Sequence, residues 1–380
     1  MPAIPSKLPR VGTTIFTTMS ALAAQHGAVN LGQGFPDFPM DPALHELVAK
    51  AMRDNYNQYA PMPGHLPLRE ALAEKFHYLY GCEVDPETEI TITPGGTYAI
   101  YSAFTTILQP GDEVIVLEPA YDSYIPNIEV NGGVAVRVAL NGDFSIPWQA
   151  VESAMGARTR AIVLNSPHNP TGSVLREDDI RELQRLAAKQ DFFIISDEVY
   201  EHLVFDGLEH HSMLRYADLR ARSFVCFSFG KTYHCTGWKL GYCVAPPETT
   251  LEFRKVHQYN SFSCFTPTQV ALAAFLQERG AYLNLGAEMQ AKRDLFIRRM
   301  AGSRFDLMPS SGSYFICAGY EKISDLPDLA FARQLTVDHG VAVIPVSAFY
   351  QEASTVNRIR FCFAKSGETL ERATEKLVGL

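Results

Sequence analysis

Hydrophobic and polar positions follow two alternating periods between residues 90 and 245. Short apolar runs are separated by longer stretches in which apolar residues recur every three or four positions. The first pattern is typical of buried strands and the second of amphipathic helices. Their alternation predicts an α/β architecture with a largely parallel sheet. The predicted strands are 90–93, 113–117, 134–140, 160–164, 192–196, 223–227 and 240–245, and the predicted helices between them are 97–108, 122–131, 147–155 and 176–189.

The two ends of the chain show a different pattern. Residues 32–39 are so rich in glycine and proline that they predict a fixed irregular loop. Beyond residue 245, helices followed by separated strands predict an α+β domain packed against the first, and 380 residues suffice for two such domains. The predicted elements outside the first domain's strand series are helices at 16–26, 42–54, 66–80, 249–258, 328–339 and 367–379, a helical tract with turns over 268–300, and strands at 313–318, 341–345 and 359–364.

Polar side chains follow three of the predicted strands. Asn169 and Asp197 come after neighbouring strands, and Ser228 ends a third. Ligands of parallel sheets bind outside the carboxyl ends of the strands, so these side chains are predicted to meet at one site. Asp197 alone is also consistent with an ordinary helix N-cap. The Gly95-Gly96 turn opens a helix and presents free backbone N–H groups, which favours an anion.

Two lysines lie between two buried strands. Lys231 is predicted in a loop where the small neighbours Ser228 and Gly230 leave room for close approach, and Lys239 precedes the next strand. One amine could bond covalently to a ligand, and the other could hold a phosphate together with the serine hydroxyl. A nucleotide P-loop is excluded because its first glycine would fall on Val225. Two lysines on a solvated turn remain the alternative.

Composition narrows the possible functions. The net charge of −9 and the isoelectric point near 5.7 argue against general binding to nucleic acid or anionic membranes. The seven cysteines are scattered without a C-x-x-C pair, so we predict neither a metal site nor a disulfide framework. No apolar run approaches the roughly 18 residues of a membrane span, and the N-terminus lacks a signal-peptide pattern. A cytoplasmic protein is expected.

The segment Ser-x-x-Lys-Thr-x-x-x-x-Gly-Trp-Lys-x-Gly at 228–241 resembles the cofactor-lysine segment of class I/II, fold type I aminotransferases. The resemblance covers almost the whole chain and is nearest to the methionine aminotransferase branch, with kynurenine aminotransferase and glutamine transaminase K as cousins. It implies a large cofactor-binding domain at 41–276 and a small domain built from 1–40 and 277–380. The shared segments lie at 13–16, 57–62, 229–234 and 255–259.

The resemblance implies that pyridoxal 5′-phosphate is the cofactor and that Lys231 both bonds to it and moves the substrate's α proton. Asp197 would pair with the ring nitrogen, and Tyr121 would stack on the ring. A tyrosine in the 57–62 segment would reach the cofactor of a neighbouring subunit, so a homodimer with shared sites is expected. Asn169 and Tyr200 would bind the phenolic oxygen, and the phosphate would be held by Ser228, Lys239, Gly96, Thr97 and the partner's Tyr59.

The substrate carboxylate calls for arginine, which pairs with it bidentately. Arg358 and Arg360 point to one face of a predicted strand, so periodicity does not choose between them. The resemblance chooses Arg360, and it places Gly34, Asn169 and Phe16 beside the substrate.

A substrate preference follows from the side chains expected around the pocket. They offer no second arginine for an acidic side chain, and a desolvated, unpaired carboxylate costs several kcal/mol. Burying a thioether or a ring gains about 1.5–3 kcal/mol. We therefore expect methionine and aromatic amino acids as donors, a 2-oxo acid as acceptor, and poor activity with aspartate. The expected pocket residues are Phe16, Phe262, Phe265, Tyr314 and Phe315.

Three other functions compete with this one. A cysteine-conjugate β-lyase would use the same lysine and ring, so the residues do not exclude it. A kynurenine or glutamine-type aminotransferase is also consistent with the scaffold, but Phe16 stands where the kynurenine cousins carry tryptophan and Thr97 where they carry tyrosine. A non-catalytic regulator would need an appended DNA-binding domain, for which the chain has no room.

Overall fold

A computed structural model describes residues 3–350 and 356–380. Its α-helices are α1 Ile15–His26, α2 Pro42–Arg53, α3 Leu66–Tyr80, α4 Gly96–Ile107, α5 Tyr124–Val130, α6 Trp148–Ala154, α7 Glu177–Lys189, α8 Ala217–Arg220, α9 Phe229–Thr232, α10 Pro247–Asn260, α11 Thr266–Phe275, α12 Gly280–Leu283, α13 Leu285–Arg299, α14 Asp328–Val337 and α15 Gly367–Val378. Its strands are β1 Val29–Asn30, β2 Ile90–Thr93, β3 Glu113–Glu118, β4 Val134–Ala139, β5 Thr159–Asn165, β6 Phe193–Asp197, β7 Ser223–Ser228, β8 Gly241–Val244, β9 Asp306–Leu307, β10 Phe315–Gly319, β11 Val341–Ala342, β12 Ile344–Pro345 and β13 Arg358–Cys362.

The large sheet carries the site. Over the described residues it has seven strands in the order β2-β8-β7-β6-β5-β3-β4. Only β8 runs antiparallel to its neighbours β2 and β7, and the other pairs are parallel. The carboxyl ends of β5, β6 and β7 therefore lie side by side. The predicted α/β fold with a mainly parallel sheet is confirmed.

Helices cover both faces of this sheet because its central strands are apolar on both sides. On β5, Ala161 and Val163 pack with α4 and α10, whereas Ile162 and Leu164 pack on the opposite face with α3, α7 and α11. The side chains alternate with the strand period of two. Two buried layers thus fix the strand ends rigidly.

A second core joins the two ends of the chain. Met19, Val29 and Leu31 from the N-terminal region pack with residues of the C-terminal sheet and helices between Leu285 and Leu377. β1 pairs with β11 in parallel, and β10, β12 and β13 form an antiparallel sheet with β9. This arrangement agrees with a small domain made from 1–40 and 277–380, and that division stays a prediction. Residues 1, 2 and 351–355 of it lie outside the described range.

In the described part of the chain, no helix is both long enough and apolar enough to cross a membrane.

Candidate active site

One cavity of about 240 Å³ opens at the carboxyl ends of β5, β6 and β7, where the two cores meet. Twelve of the thirteen predicted site residues line it. They are Phe16, Gly34, Gly96, Thr97, Tyr121, Asn169, Asp197, Tyr200, Ser228, Lys231, Lys239 and Arg360. The roles assigned to these residues stay predictions, but the structure brings the side chains together.

Lys231 lies in the short helix α9, directly after β7, and the prediction of a loop at this position is wrong. Gly230 has a second reason to be small, besides the predicted one. A Cβ atom at Gly230 would lie 2.8 Å from the Thr236 Cα atom, so the glycine lets the chain fold back on itself, and Gly230 also lines the cavity. The Lys231 Nζ donates to the Gly34 carbonyl oxygen at 2.7 Å. Burial lowers the pKa of Lys231 to about 8, so part of the amine is neutral and nucleophilic near neutral pH.

Asp197 ends β6 as a buried carboxylate. Its Oδ2 accepts a hydrogen bond from the Tyr124 hydroxyl at 2.6 Å, and its Oδ1 accepts from the Val199 backbone N–H at 3.3 Å. A turn follows instead of a helix, so Asp197 is not a helix N-cap. Burial raises the pKa of Asp197 to about 6, and the Tyr124 hydrogen bond opposes that rise. A cation placed beside this carboxylate would favour its ionised form.

The part of the cavity beside α4 offers several groups to an anion. The N-terminus of α4 begins at Gly96, and the Ser228 hydroxyl and the Lys239 amine line the same cavity. A Cβ atom on Gly95 would lie 3.5 Å from Lys239 Nζ, which places that amine directly against the turn. Backbone N–H groups, a hydroxyl and an ammonium together are the donors that a phosphate needs.

Tyr121 and Tyr200 supply the aromatic walls. The Tyr121 hydroxyl lies 3.4 Å from Thr97 Oγ1, and the Tyr121 ring packs edge-on against Tyr124, with centroids 5.5 Å apart. Lys231 Nζ lies 5.4 Å from the centroid of the Tyr200 ring. Burial raises the pKa of Tyr200 well above its usual value, so this phenol stays a hydrogen-bond donor.

Arg360 is buried on β13 and points into the cavity. It donates from Nη1 to Asn169 Oδ1 and from Nη2 to the Gly32 carbonyl oxygen, both at 2.7 Å. Its Nε is buried and has no partner among the described residues. Burial lowers the pKa of Arg360 to about 10, which leaves it cationic at neutral pH. Its guanidinium carbon lies 3.8–5.2 Å from the ring centroids of Phe315, Phe349 and Phe16.

The predicted irregular loop at 32–39 is confirmed, and it forms one wall of the cavity. A Cβ atom at Gly34 would lie 2.7 Å from Phe315 Cζ, so only glycine lets this loop lie on the Phe315 ring. Lys365 Nζ holds the loop by donating to the Phe35 carbonyl oxygen at 2.8 Å. The Gly34 carbonyl oxygen thereby stays within reach of Lys231.

Tyr59 is the one predicted site residue outside the cavity. It is 82% exposed and packs edge-on against Phe262 on the surface. Phe262 and Phe265 lie on this same exposed surface and do not line the cavity of the single chain, so their expected place around the pocket stays a prediction. Tyr314 is also absent from the lining. It lies behind Lys231 and donates its hydroxyl to the Lys231 carbonyl oxygen at 2.5 Å.

Tyr124 and Asn165 are functional candidates that the sequence did not reveal. Asn165 Nδ2 donates to the Asp197 carbonyl oxygen at 2.9 Å, and Asn165 Oδ1 accepts from the Asn169 backbone N–H at 2.8 Å. Asn165 thus ties two predicted site residues to each other. The position of Asn165 at the end of β5 could have indicated a site residue, because ligands bind beyond the carboxyl ends of parallel strands. No residue near Tyr124 in the sequence indicates a contact with Asp197.

The side chains present fit pyridoxal 5′-phosphate. The cavity combines an amine of lowered pKa, a buried carboxylate, aromatic walls and an anion site at a helix N-terminus, and each matches one part of that cofactor. Among the described residues, no cluster of His, Cys, Asp and Glu has an arrangement that could hold a metal ion.

Comparison with known proteins identifies aminotransferases as relatives of this chain. The family model described as aminotransferase class I and II matches residues 27–377. A methionine aminotransferase of Escherichia coli strain K12 is 47% identical over 379 residues, which is 99% of this chain and 98% of that protein. The human kynurenine–oxoglutarate transaminase 1 is 35% identical, over 94% of this chain and 93% of that protein.

A solved structure is also similar to this chain and supports the same family. The crystal structure of an Escherichia coli protein with methionine aminotransferase function superposes with a TM-score of 0.98 at 47% identity and covers 100% of both chains. The predicted resemblance is thereby confirmed. The chain belongs to the family of class I and II aminotransferases and is a pyridoxal 5′-phosphate-dependent enzyme of fold type I.

Proposed function

We propose that this enzyme transfers the amino group of methionine, and of aromatic amino acids, to a 2-oxo acid. The observation that carries this proposal is the position of the Lys231 amine in one cavity with the Asp197 carboxylate and the Arg360 guanidinium. Pyridoxal 5′-phosphate, when bound, supplies an aldehyde that takes up the amino group and a ring that withdraws electrons from the substrate's α carbon. The residues around the cofactor would bind and orient it and the substrate, and they would move protons.

Lys231 is proposed to hold the cofactor and then to move a proton. Its lowered pKa lets the neutral amine accept the proton from the substrate's α carbon and return it elsewhere. Asp197 would pair with the ring nitrogen, and Tyr121 would lie on the ring face. Asn169 Oδ1 is already engaged by Arg360, so the free Nδ2 of Asn169 would donate to the phenolic oxygen together with Tyr200. Ser228, Lys239, Gly96 and Thr97 would hold the phosphate.

Arg360 is proposed to bind the α-carboxylate of every substrate. A guanidinium has five N–H donors, and Asn169 and Gly32 use only two of them. The unpaired Nε supports the proposal because a buried donor normally has a partner. The three surrounding rings exclude water, which strengthens the ion pair with a carboxylate.

The side-chain preference follows from the cavity walls. Arg360 is the only arginine among the described residues that line the cavity, and the substrate side would be bordered by Phe16, Phe35 and Phe315. A flexible, polarizable thioether packs well against aromatic rings, and an aromatic side chain can do the same. The name of the 47% identical Escherichia coli relative supports methionine. The acceptor is proposed to be an apolar 2-oxo acid, because the second carboxylate of 2-oxoglutarate would be left unpaired in this pocket.

A homodimer with shared active sites is proposed as well. Tyr59 and Tyr259 are 82% and 87% exposed on the single chain, and Phe262 and Phe265 lie exposed on the same segments. Such an aromatic patch favours an interface over contact with water. Tyr59 would then reach the phosphate of the partner's cofactor. Seven free cysteines and the acidic composition support a cytoplasmic location.

Measuring kcat/KM for methionine, phenylalanine, kynurenine and aspartate with a fixed 2-oxo acid tests the proposal. We expect methionine and phenylalanine to exceed aspartate by at least about 100-fold, because an unpaired buried carboxylate costs several kcal/mol. The kcat/KM for kynurenine is expected to be lower than that for methionine. A preference for aspartate would show that a cationic side chain reaches the pocket and that this account of the walls is wrong.

A further inference from the structure

The Asp197 carboxylate has one strong side-chain partner that the site prediction did not contain. The Tyr124 hydroxyl donates to Asp197 Oδ2 at 2.6 Å, a short distance for an O–H donor to a carboxylate. Tyr124 is 2% exposed and begins helix α5, three residues after Tyr121. Its ring packs edge-on against the Tyr121 ring, with an interplanar angle of 83°. One side chain therefore contacts both the proposed stacking ring and the proposed partner of the ring nitrogen.

We propose that Tyr124 is a positioning residue that keeps Asp197 ionised and in place for the cofactor's ring nitrogen. This inference rests on the proposed role of Asp197. Tyr124 does not line the cofactor cavity, so it would act through Asp197 rather than by touching substrate or cofactor. A protonated Asp197 would no longer form an ion pair with the ring nitrogen, and the ring would then withdraw electrons less strongly.

The charges around Asp197 explain why the hydroxyl matters. Burial alone favours the protonated carboxyl and raises its pKa, whereas the Tyr124 hydrogen bond favours the carboxylate. Lys231 also favours the carboxylate, and Glu198 disfavours it. The titratable groups that face Asp197 from the surrounding elements are Tyr121, Tyr124, Glu198, Tyr200, Cys226 and Lys231.

Other contacts hold Asp197 independently of Tyr124. Asn165 Nδ2 and the Ser166 N–H both bind the Asp197 carbonyl oxygen, at 2.9 and 3.2 Å, and the Val199 N–H binds Oδ1. The strand end is therefore expected to keep its place when the hydroxyl is removed. Tyr124 also borders a second cavity of about 210 Å³. Phenylalanine keeps the wall beside this second cavity, whereas alanine would open it, so Tyr124→Phe is the informative change.

The test measures the affinity of the cofactor-free, full-length protein for pyridoxamine 5′-phosphate between pH 5 and 9. This ligand carries the ring and the phosphate but has no aldehyde to bond with Lys231. The wild type is expected to lose affinity as the pH falls through about 6, where Asp197 becomes protonated. In Tyr124→Phe the midpoint should rise by about one pH unit, so the affinity should fall about twofold at pH 7 and about tenfold near pH 5.

Two control variants isolate the effect. Tyr320→Phe removes another buried hydroxyl, which donates to the Leu326 carbonyl oxygen far from Asp197, and should follow the wild-type profile. Asp197→Asn should bind weakly and keep only the pH dependence that the ligand's own phosphate contributes near pH 6, which all the variants share. If Asp197→Asn binds like the wild type, the proposed role of Asp197 fails. If Asp197→Asn is weak but Tyr124→Phe matches the wild-type midpoint, the inference about Tyr124 alone is overturned.

A kinetic measurement distinguishes positioning from a general structural effect. With saturating cofactor, Tyr124→Phe should lower kcat while the KM for methionine stays within about twofold, since Arg360 is untouched. Should Tyr124→Phe not fold, 3-fluorotyrosine at position 124 gives a second test. Its more acidic hydroxyl is a stronger donor, so the midpoint should move to lower pH, and a shift to higher pH would contradict the proposal.

Discussion

Arg358 and Arg360 lie two positions apart on β13 but have different surroundings. Arg360 points into the cavity, whereas Arg358 donates from Nη2 to the Gly142 carbonyl oxygen at 3.1 Å and lies over the Phe144 ring. The strand period put both arginines on one face and therefore left the choice open. The cavity position agrees with the choice of Arg360 that the resemblance implied.

Replacing each arginine by lysine gives a matched pair of variants. Arg360→Lys should raise the KM for every amino acid and 2-oxo acid by about 10–100-fold, because a lysine cannot pair bidentately with the shared carboxylate. Arg358→Lys should change these constants less than about twofold. Steady-state kinetics with methionine and phenylalanine check both. An equal rise of KM in the two variants would contradict the assignment of Arg360 to the substrate carboxylate.

The location of a residue in the cavity could be predicted where its chemistry and its position at a strand end agreed. It could not be predicted where the location depends only on tertiary contacts. Lys231, Asp197 and Ser228 each follow a strand, so the sheet rule located them. Tyr124 meets Asp197 across 73 residues, and no local pattern encodes that contact. Phe262 and Phe265 lie outside the cavity of the single chain, because an aromatic sequence does not say which surface it covers.

At the scale of elements, strand β8 and the turn before α4 meet at the proposed phosphate site. A Cβ atom at Gly241 would lie 2.4 Å from the Phe227 carbonyl oxygen and 2.9 Å from both Gly95 C and Gly96 N. These are backbone atoms, so an added methyl group would push the turn away from β7. The first residue of β8 thereby fixes the distance between the helix N-terminus and Ser228.

Gly241→Ala is accordingly expected to weaken binding of pyridoxamine 5′-phosphate by tenfold or more and to lower stability by about 1–3 kcal/mol. Gly237→Ala is the control, since a Cβ atom at Gly237 would meet no atom within 4 Å. Isothermal titration and thermal unfolding of both variants measure the two effects. Unchanged affinity in Gly241→Ala would show that the turn does not depend on this contact.

The sequence predicted the elements of the first domain closely. All seven strands of the large sheet begin and end within one residue of the predicted bounds. The central strands β6 and β7 were well defined because they are short, mostly apolar runs that are buried on both faces. The predicted strand 341–345 is in fact two short strands, Val341–Ala342 and Ile344–Pro345, that pair with different partners. Helix α9 was missed because four residues carry no helical period.

At the scale of the whole molecule, the site lies between two cores. Lys231, Asp197 and Ser228 come from the large sheet, whereas Arg360 and Phe315 belong to the C-terminal sheet. The N-terminal loop closes the cavity by contacting both Lys231 and Arg360 through its carbonyl oxygens. A relative movement of the two cores would therefore change the distance between the proposed cofactor site and the carboxylate site.

Mixing subunits tests the proposed dimer. In a hybrid of Lys231→Ala and Tyr59→Phe subunits, one of the two sites would contain intact Lys231 and an intact Tyr59 of the partner subunit. Activity at limiting cofactor should therefore exceed the mean of the two parent variants. Tyr56→Phe, which changes another exposed tyrosine, should behave like the wild type in the same mixture. Activity equal to the parental mean would mean that Tyr59 acts within its own subunit.

Lys231 is proposed to hold pyridoxal 5′-phosphate, and the other proposed roles in the site depend on this bond. Reduction of the holoenzyme with borohydride fixes the cofactor on the amine that holds it, and peptide mapping by mass spectrometry then locates the label. Lys231 is expected to carry it, because its amine lines the cavity and has a pKa lowered to about 8, and Lys231→Ala should remain unlabelled. A label on Lys239, or one spread over several lysines, would contradict the account of this site.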